Sequence, residues 1–192
     1  MELIGGDYGP MARYSDAHIF VALDLLQNCG RMSRKSLMKE MEIGEGSVRG
    51  MLKVLREWKF VEVSQTGITI TDFGRENLGK FGIRLVDFSD ERYAVSSYQQ
   101  GVIVEGIAQK VTSGMAQRDI AIRCGADGAS IFVMRDNRII FPKSWSVDDN
   151  DPELAGRIRA TGIREGEALV LVDAKWPSTA RIVAAAAGLA MR

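Results

Sequence analysis

Residues 45–58 constrain the fold of this chain more than any other stretch. Val48, Met51, Leu52, Leu55 and Trp58 recur at i, i+3, i+4, i+7 and i+10, one apolar stripe at helical period. On a wheel advancing 100° per residue from Arg49, Lys53 falls near +40° and Arg56 near −20°. The three cations therefore share a face about 120–130° from the centre of the apolar stripe. Immediately downstream, Phe60-Val61-Glu62-Val63 and Ile68-Thr69-Ile70-Thr71 alternate as strands do, with turn chemistry at Gln65-Thr66-Gly67 between them. A one-sided basic helix followed at once by a hairpin needs other helices to bury its apolar side.

The upstream sequence supplies them. Ser15 precedes an apolar-periodic run (Ile19, Ala22, Leu23, Leu26) that Gly30 can stop. Ser33 caps a shorter segment with Leu37 and Met41 inward. Three helices and a hairpin is the order of a winged helix-turn-helix, with residues 45–58 as its recognition helix. A further short helix is expected over 72–82. Residues 1–14, rich in glycine and aperiodic, read as a loose arm. The polar stretch 87–92 reads as a boundary. The expected organisation is thus an arm (1–14), a winged helix (15–86) and a second domain (93–192).

The second domain reads as α+β. Strands are expected at 101–108, 129–134, 139–141 and 167–172, and helices at 115–124, 152–161 and 177–190, with Pro177 in the first turn of the last. Asp136-Asn137 is a turn. The core order is β-α-β-β-α-β, the split βαβ or ferredoxin-like order. The fold class expected for the whole chain is therefore α+β.

Charge is informative here because it is local. The chain of 192 residues has 25 basic and 25 acidic side chains and no net charge. A nucleic-acid binder without net charge must concentrate its cations. Residues 31–59 hold eight cations against four carboxylates, a net of +4. The residues expected to meet double-stranded DNA are Arg34, Lys35, Ser47, Arg49, Lys53, Arg56 and Thr66. Arg49, early in the helix, can offer its guanidinium fork to guanine. Arg34 and Lys35 open the second helix, where phosphates are commonly met. The wing tip is short and uncharged, so Thr66 implies modest contact.

Met32-Ser33-Arg34-Lys35-Ser36-Leu37, Gly44-Glu45-Gly46-Ser47-Val48-Arg49 and Gly67-Ile68-Thr69-Ile70-Thr71-Asp72-Phe73-Gly74 resemble archaeal winged-helix transcriptional regulators. In those proteins the Gly-Ser-Val-Arg stretch opens the recognition helix and the Ile-Thr…Gly stretch closes the wing. The stretches Gly114–Ile122 and Gly125–Ser130 are similar to an archaeal domain of unknown function that follows such winged helices. The resemblance implies a regulator and no particular ligand.

Within the second domain, Arg118, Asp119, Gly125 and Gly128 form the candidate ligand site. Arg118 would hold an anionic group and the glycines would let backbone approach a small-molecule effector. A plainer assignment makes Gly125 a helix stop, Gly128 a turn, and Asp119 and Arg123 an i,i+4 surface pair. The alanine-rich last helix suits close packing on a sheet or against a second copy, and a homodimer is the expected assembly.

Several chemistries find little support. Cys29 and Cys124 match no metal spacing, and the lone His18 leaves little room for a His-based metal site or triad. The run Asp148-Asp149-Asn150-Asp151 reads as a solvated loop. No Gly-Lys-Ser/Thr follows the glycines, so there is no P-loop. No cofactor and no enzymatic activity are expected. No signal peptide or membrane span is evident, which suggests a cytoplasmic protein. The alternatives to a DNA-binding regulator are a winged helix that contacts protein or RNA, and a small-molecule enzyme fused to a winged helix.

Overall fold

The structure is a computed structural model and describes residues 14–142 and 145–192. The expected arm, 1–14, lies outside these residues except for its last, Tyr14, whose ring stands 3.4 Å from where a Cβ on Gly50 would be. The chain forms two units, Met1–Phe81 and Gly82–Arg192.

The first unit is a winged helix-turn-helix. Helices α1 (Asp16–Cys29), α2 (Arg34–Met41) and α3 (Glu45–Glu57) precede strands β1 (Val61–Ser64) and β2 (Gly67–Ile70), and α4 (Asp72–Gly79) ends it. The apolar stripe of α3 is buried at Val48, Met51, Leu52 and Leu55 against α2 and β1. Trp58 caps the helix and stacks edge-on to Phe60, ring centroids 5.7 Å apart. Strands β1 and β2 pair antiparallel from Val61↔Ile70 to Ser64↔Gly67. A third, single-residue strand joins them: Met32 N–H donates to Ile68 O at 3.0 Å and Ile68 N–H to Met32 O at 2.8 Å. That bridge brings the chain against the wing at Gly67, where a Cβ would sit 2.8 Å from Arg31 Cγ and 2.9 Å from Met32 O. With φ at +136°, the position also disfavours any L side chain.

Capping fixes the helix starts. Ser33 Oγ accepts Ser36 N–H at 3.0 Å. Thr71 Oγ1 accepts Gly74 N–H at 2.9 Å and donates to Lys59 O at 2.7 Å, locking α4 onto the α3–β1 turn. At α1 the partner of the cap is His18: the N–H of Ser15 donates to His18 Nδ1 at 3.1 Å, as a Glu or Gln does in a capping box.

The second unit is a six-stranded antiparallel sheet covered on both faces. Its strands are β3 (Ile83–Val86), β4 (Tyr98–Val104), β5 (Gly128–Arg135), β6 (Arg138–Phe141), β7 (Trp145–Ser146) and β8 (Ala168–Ala174), in the order β3-β4-β8-β5-β6-β7. All seven residues of β8 are buried, because it is central and covered on both faces. Helix α5 (Met115–Arg123) and the long α8 (Pro177–Met191) cover one face. The short α6 (Val147–Asn150) and α7 (Pro152–Ala160) cover the other, over a core of Ile103, Phe132, Met134, Ile139, Leu169 and Leu171. The β5–β6 hairpin turns on Asp136 and Asn137, both at positive φ (52° and 59°), and Glu165 accepts both turn N–H groups at 2.9 Å.

The α+β class and the β-α-β-β-α-β order are present. Strands β4 and β5 run the same way with β8 between them, and β6 and β8 with β5 between, so both crossovers are split. The sheet is larger than four strands, and among those four the spatial order is first, fourth, second, third, which is not the fourth, first, third, second of a ferredoxin-like sheet, so that part of the expectation is corrected. Residues 82–86 belong to this unit rather than to the winged helix: Ile83 pairs with Val104 and Val86 with Gly101. A bidentate pair from Arg84 to the buried Glu167, at 3.1 and 2.9 Å, ties that edge strand to the α7–β8 loop. The boundary therefore falls at Phe81–Gly82, ahead of the polar stretch 87–92.

Two further features concern local packing, the first as expected and the second a correction. Ala180, Ala184, Ala187 and Gly188 of α8 are buried within this unit, and a Cβ on Gly188 would meet Val102 and Ile83 at 3.0 and 3.2 Å. The small residues thus serve sheet packing. The Asp148–Asp151 run is no solvated loop. Asp148 bonds Ile139 N–H at 2.7 Å and Arg159 at 2.6 Å, Asp149 pairs with Arg138, and Asp151 pairs with Arg92 while capping α7 at Leu154. No helix among the described residues is long and apolar enough to cross a membrane.

Candidate nucleic-acid interface

Because the buried stripe of α3 holds it against α2 and β1, the opposite face is presented outward. Arg49, Lys53 and Arg56 are all exposed there. Beside them runs a groove of about 440 Å³ lined by Arg34, Arg49, Lys53, Arg56, Glu57 and Val63. It continues into a second groove of about 730 Å³ under the wing, which shares Arg34, Arg56 and Val63 and adds Gln65 and Thr66. One helix face, the start of α2 and the wing therefore converge on a single concave surface. Four of its side chains are cationic and one, Glu57, is acidic.

Local electrostatics refine the roles. Arg49 Nη2 lies 2.7 Å from Glu45 Oε1, one turn earlier, and both side chains are well exposed (71% and 61%). An exposed i,i+4 pair of this kind is worth only about 0.3–0.5 kcal/mol. It orients the guanidinium along the helix yet yields readily to a better acceptor. Among the described residues, Arg34, Lys53 and Arg56 have no carboxylate partner within ion-pair distance. The wing tip is held internally: Ser64 Oγ and Thr66 Oγ1 are 2.9 Å apart, and Ser64 Oγ donates to Gly67 O at 3.1 Å.

Five of the seven residues expected to meet DNA (Arg34, Arg49, Lys53, Arg56 and Thr66) line this surface. Lys35 is exposed on α2 and Ser47 is half-buried near the start of α3, and neither lines the groove. Glu57, Gln65 and Arg31, whose stem lies against Gly67, were not singled out. The charge of Glu57 on the helix wheel could have flagged it. The proximity of Arg31 to the wing depends on the Met32 bridge, which carries no local signal.

In the second unit the four expected ligand residues separate. Arg118 and Gly128 line one cavity of about 540 Å³. Gly125 ends α5 at φ +105°, its N–H bonded to Ile122 O at 2.9 Å, which is the role of a helix-stop glycine. Asp119 is exposed and does not line the cavity, and no ion pair joins it to Arg123. The cavity is completed by Arg92, Tyr93, Ser113, Gly114, Ser130 and Phe141, drawn from four separate segments. Beneath it the buried carboxylate of Asp173, facing Gly128 across the β5–β8 pairing, accepts from Val95 N–H at 3.2 Å and Gln99 at 3.1 Å, so it anchors the segment that forms one wall. Burial raises the pKa of Asp173 against these donors.

The architecture has a counterpart among solved structures. A hypothetical protein of Pyrococcus horikoshii OT3, PH0730, matches with a TM-score of 0.75 and 25% sequence identity, covering 93% of each chain. Among curated proteins none matches in sequence. A family model matches residues 95–191, just over half the chain, and on that match the chain belongs to the family described as Domain of unknown function (DUF4443).

Proposed function

We propose that the chain is a sequence-specific binder of double-stranded DNA that acts as a transcriptional regulator. The observation that carries this is the concave basic surface on which Arg34, Arg49, Lys53, Arg56 and the wing converge. In this reading α3 enters a major groove about 12 Å wide. Arg49 leaves Glu45 and presents its fork to a guanine edge. Arg34, Lys35, Lys53 and Arg56 neutralise phosphates on either side, which positions the helix without reading sequence. Ser47 adds a hydroxyl near the helix start, and Thr66 brings the wing to the backbone. The second unit serves ligand sensing or dimerisation, and the regulator acts as a homodimer on two half-sites. No catalytic step is assigned to it.

The test is selection of random duplexes by the purified full-length protein at about 0.15 M salt, followed by titration of the enriched site against salt. An enriched palindrome whose affinity falls steeply with salt supports the reading. Enrichment from single-stranded RNA but not duplex DNA, or from neither, refutes it.

A further inference from the structure

The cavity of the second unit has the chemistry of a small-molecule site, and its polar groups are unevenly compensated. Arg92 at its rim is neutralised: Nη2 lies 2.7 Å from the buried Asp90, and Asp151 takes the other nitrogen. Asp90 is shared with Arg157 at 2.9 Å. Arg118, on α5, is different. Among the described residues no carboxylate lies within ion-pair distance of it, so one full positive charge faces the cavity unbalanced. Ser130 Oγ makes no hydrogen bond to any described residue. Strand β6 pairs with β5 only from Val133 to Arg135, so β5 at Gly128–Ile131 presents an edge that β6 does not cover.

The rest of the lining is apolar. Tyr93, Phe132 and Phe141 form a cluster of rings with centroids 5.2–5.7 Å apart, and Tyr93 and Phe141 line the cavity. Val95, Ile131 and Pro142 extend that wall. Gly114, with φ at +73°, lets the chain turn into α5 while passing close to Pro142, 3.0 Å from where a Cβ would stand. A volume of about 540 Å³ lies within the range of small-ligand sites. One uncompensated guanidinium, a free hydroxyl and an aromatic wall select a ligand with one anionic end and a flat apolar body.

We propose that this cavity binds a small organic carboxylate with an aromatic or similarly flat apolar body. Arg118 receives the carboxylate, Ser130 donates a hydrogen bond to it, and Tyr93 and Phe141 pack against the body. The assignment deepens the sensing role proposed for the second unit and rests on that reading. It is read without DNA, so failure of duplex binding leaves it standing and its own failure leaves duplex binding standing.

The experiment titrates the isotope-labelled full-length protein with phenylacetate, cinnamate and indole-3-acetate, with their neutral amides, and with inorganic phosphate, following backbone amide shifts. At least one carboxylate is expected to shift the amides of Gly114–Arg118 and Gly128–Ile131 saturably. Its amide should bind about tenfold more weakly, as loss of a charge-assisted bond requires. Arg118→Gln should weaken the carboxylate by about the same factor, Arg118→Lys by less, and Arg123→Gln, on the same helix away from the cavity, not at all. Arg118 is exposed and holds no ion pair, so these variants should fold, and an unchanged melting temperature checks it. No saturable shift from any of the three carboxylates overturns the proposal. So does equal affinity for acid and amide, phosphate binding as tightly as the best carboxylate, or full affinity in Arg118→Gln.

Discussion

Gly74→Ala tests the way the wing is locked to the helices. Gly74 lies in the first turn of α4, and a Cβ built on it would stand 2.2 Å from Phe60 O, 3.0 Å from Phe60 C and 2.9 Å from Ile70 Cγ1. A carbon and a carbonyl oxygen need about 3.3 Å, so α4 and the Phe60 peptide must separate by about 1 Å. Neither is free to move. Phe60 O already accepts Thr71 N–H at 2.9 Å, and Thr71 Oγ1 holds Lys59 O at 2.7 Å and Gly74 N–H at 2.9 Å. Overpacking costs about 1–3 kcal/mol, and losing one or two of these bonds adds about 1 kcal/mol each. The gain of alanine over glycine in a helix returns up to about 1 kcal/mol. The expected net loss is about 2–3 kcal/mol, a fall of roughly 10–20 °C in the melting temperature of a unit this size. Gly79→Ala at the other end of the helix is the control, since a Cβ there meets nothing within 4 Å. It should be neutral or stabilising by up to about 1 kcal/mol. Hydrogen exchange of amides in α1 and α3 of the full-length protein, compared with amides of β8, reads the first unit separately. Equal protection in Gly74→Ala and wild type, or equal effects of the two substitutions, would refute this account of the wing junction.

Other predictions concern the basic face and pH. Arg49→Ala should weaken binding to the selected duplex by about 1–3 kcal/mol and relax its sequence preference, whereas Arg34→Ala should weaken all duplexes alike and lower the salt slope by about one. Competition binding on matched and scrambled duplexes separates the two patterns. Glu45→Gln should tighten duplex binding about two- to fivefold by releasing Arg49 and removing a carboxylate near phosphate. That gain should shrink in the Arg49→Ala background, and an equal gain there would remove the competition assigned to Glu45. Burial holds the pKa of His18 below its ordinary value, and its Nδ1 must stay unprotonated to accept from Ser15. The stability it contributes is therefore complete above the unfolded pKa of about 6.5 and declines as pH falls through the lower folded value. His18 is the chain's one histidine. Unfolding midpoints of the first unit from pH 8 to 5 should drop less in His18→Gln, and parallel curves would refute the assignment.

What could be read from the sequence divides along the range of the interactions. Helix α3 was legible because burial of Val48, Met51, Leu52 and Leu55 and exposure of Arg49, Lys53 and Arg56 both follow from a period local to 13 residues. The wing was legible from alternation and from Gly67. Strand β3 was not, because Ile83-Arg84-Leu85-Val86 is committed to the second unit by pairing with residues 101–104, and nothing in four residues announces that partner. The acidic run 148–151 was misread for the same reason: Arg92, Arg138 and Arg159 come from elsewhere in the chain. Of the residues lining the cavity, Arg118 was found by its charge. Tyr93, Ser130 and Phe141 were not, since only the folded sheet brings them beside it.

The most direct test of the central claim is the salt dependence of full-length protein on its selected duplex. If Arg34, Lys35, Lys53 and Arg56 each neutralise a phosphate, log K should fall with log salt at a slope of about −3 to −4 per bound subunit, and about twice that for a dimer on two half-sites. Charge-removing substitutions at those four positions should each flatten it. A slope near zero, or one unchanged when those side chains are removed, would contradict the assignment of this surface to DNA.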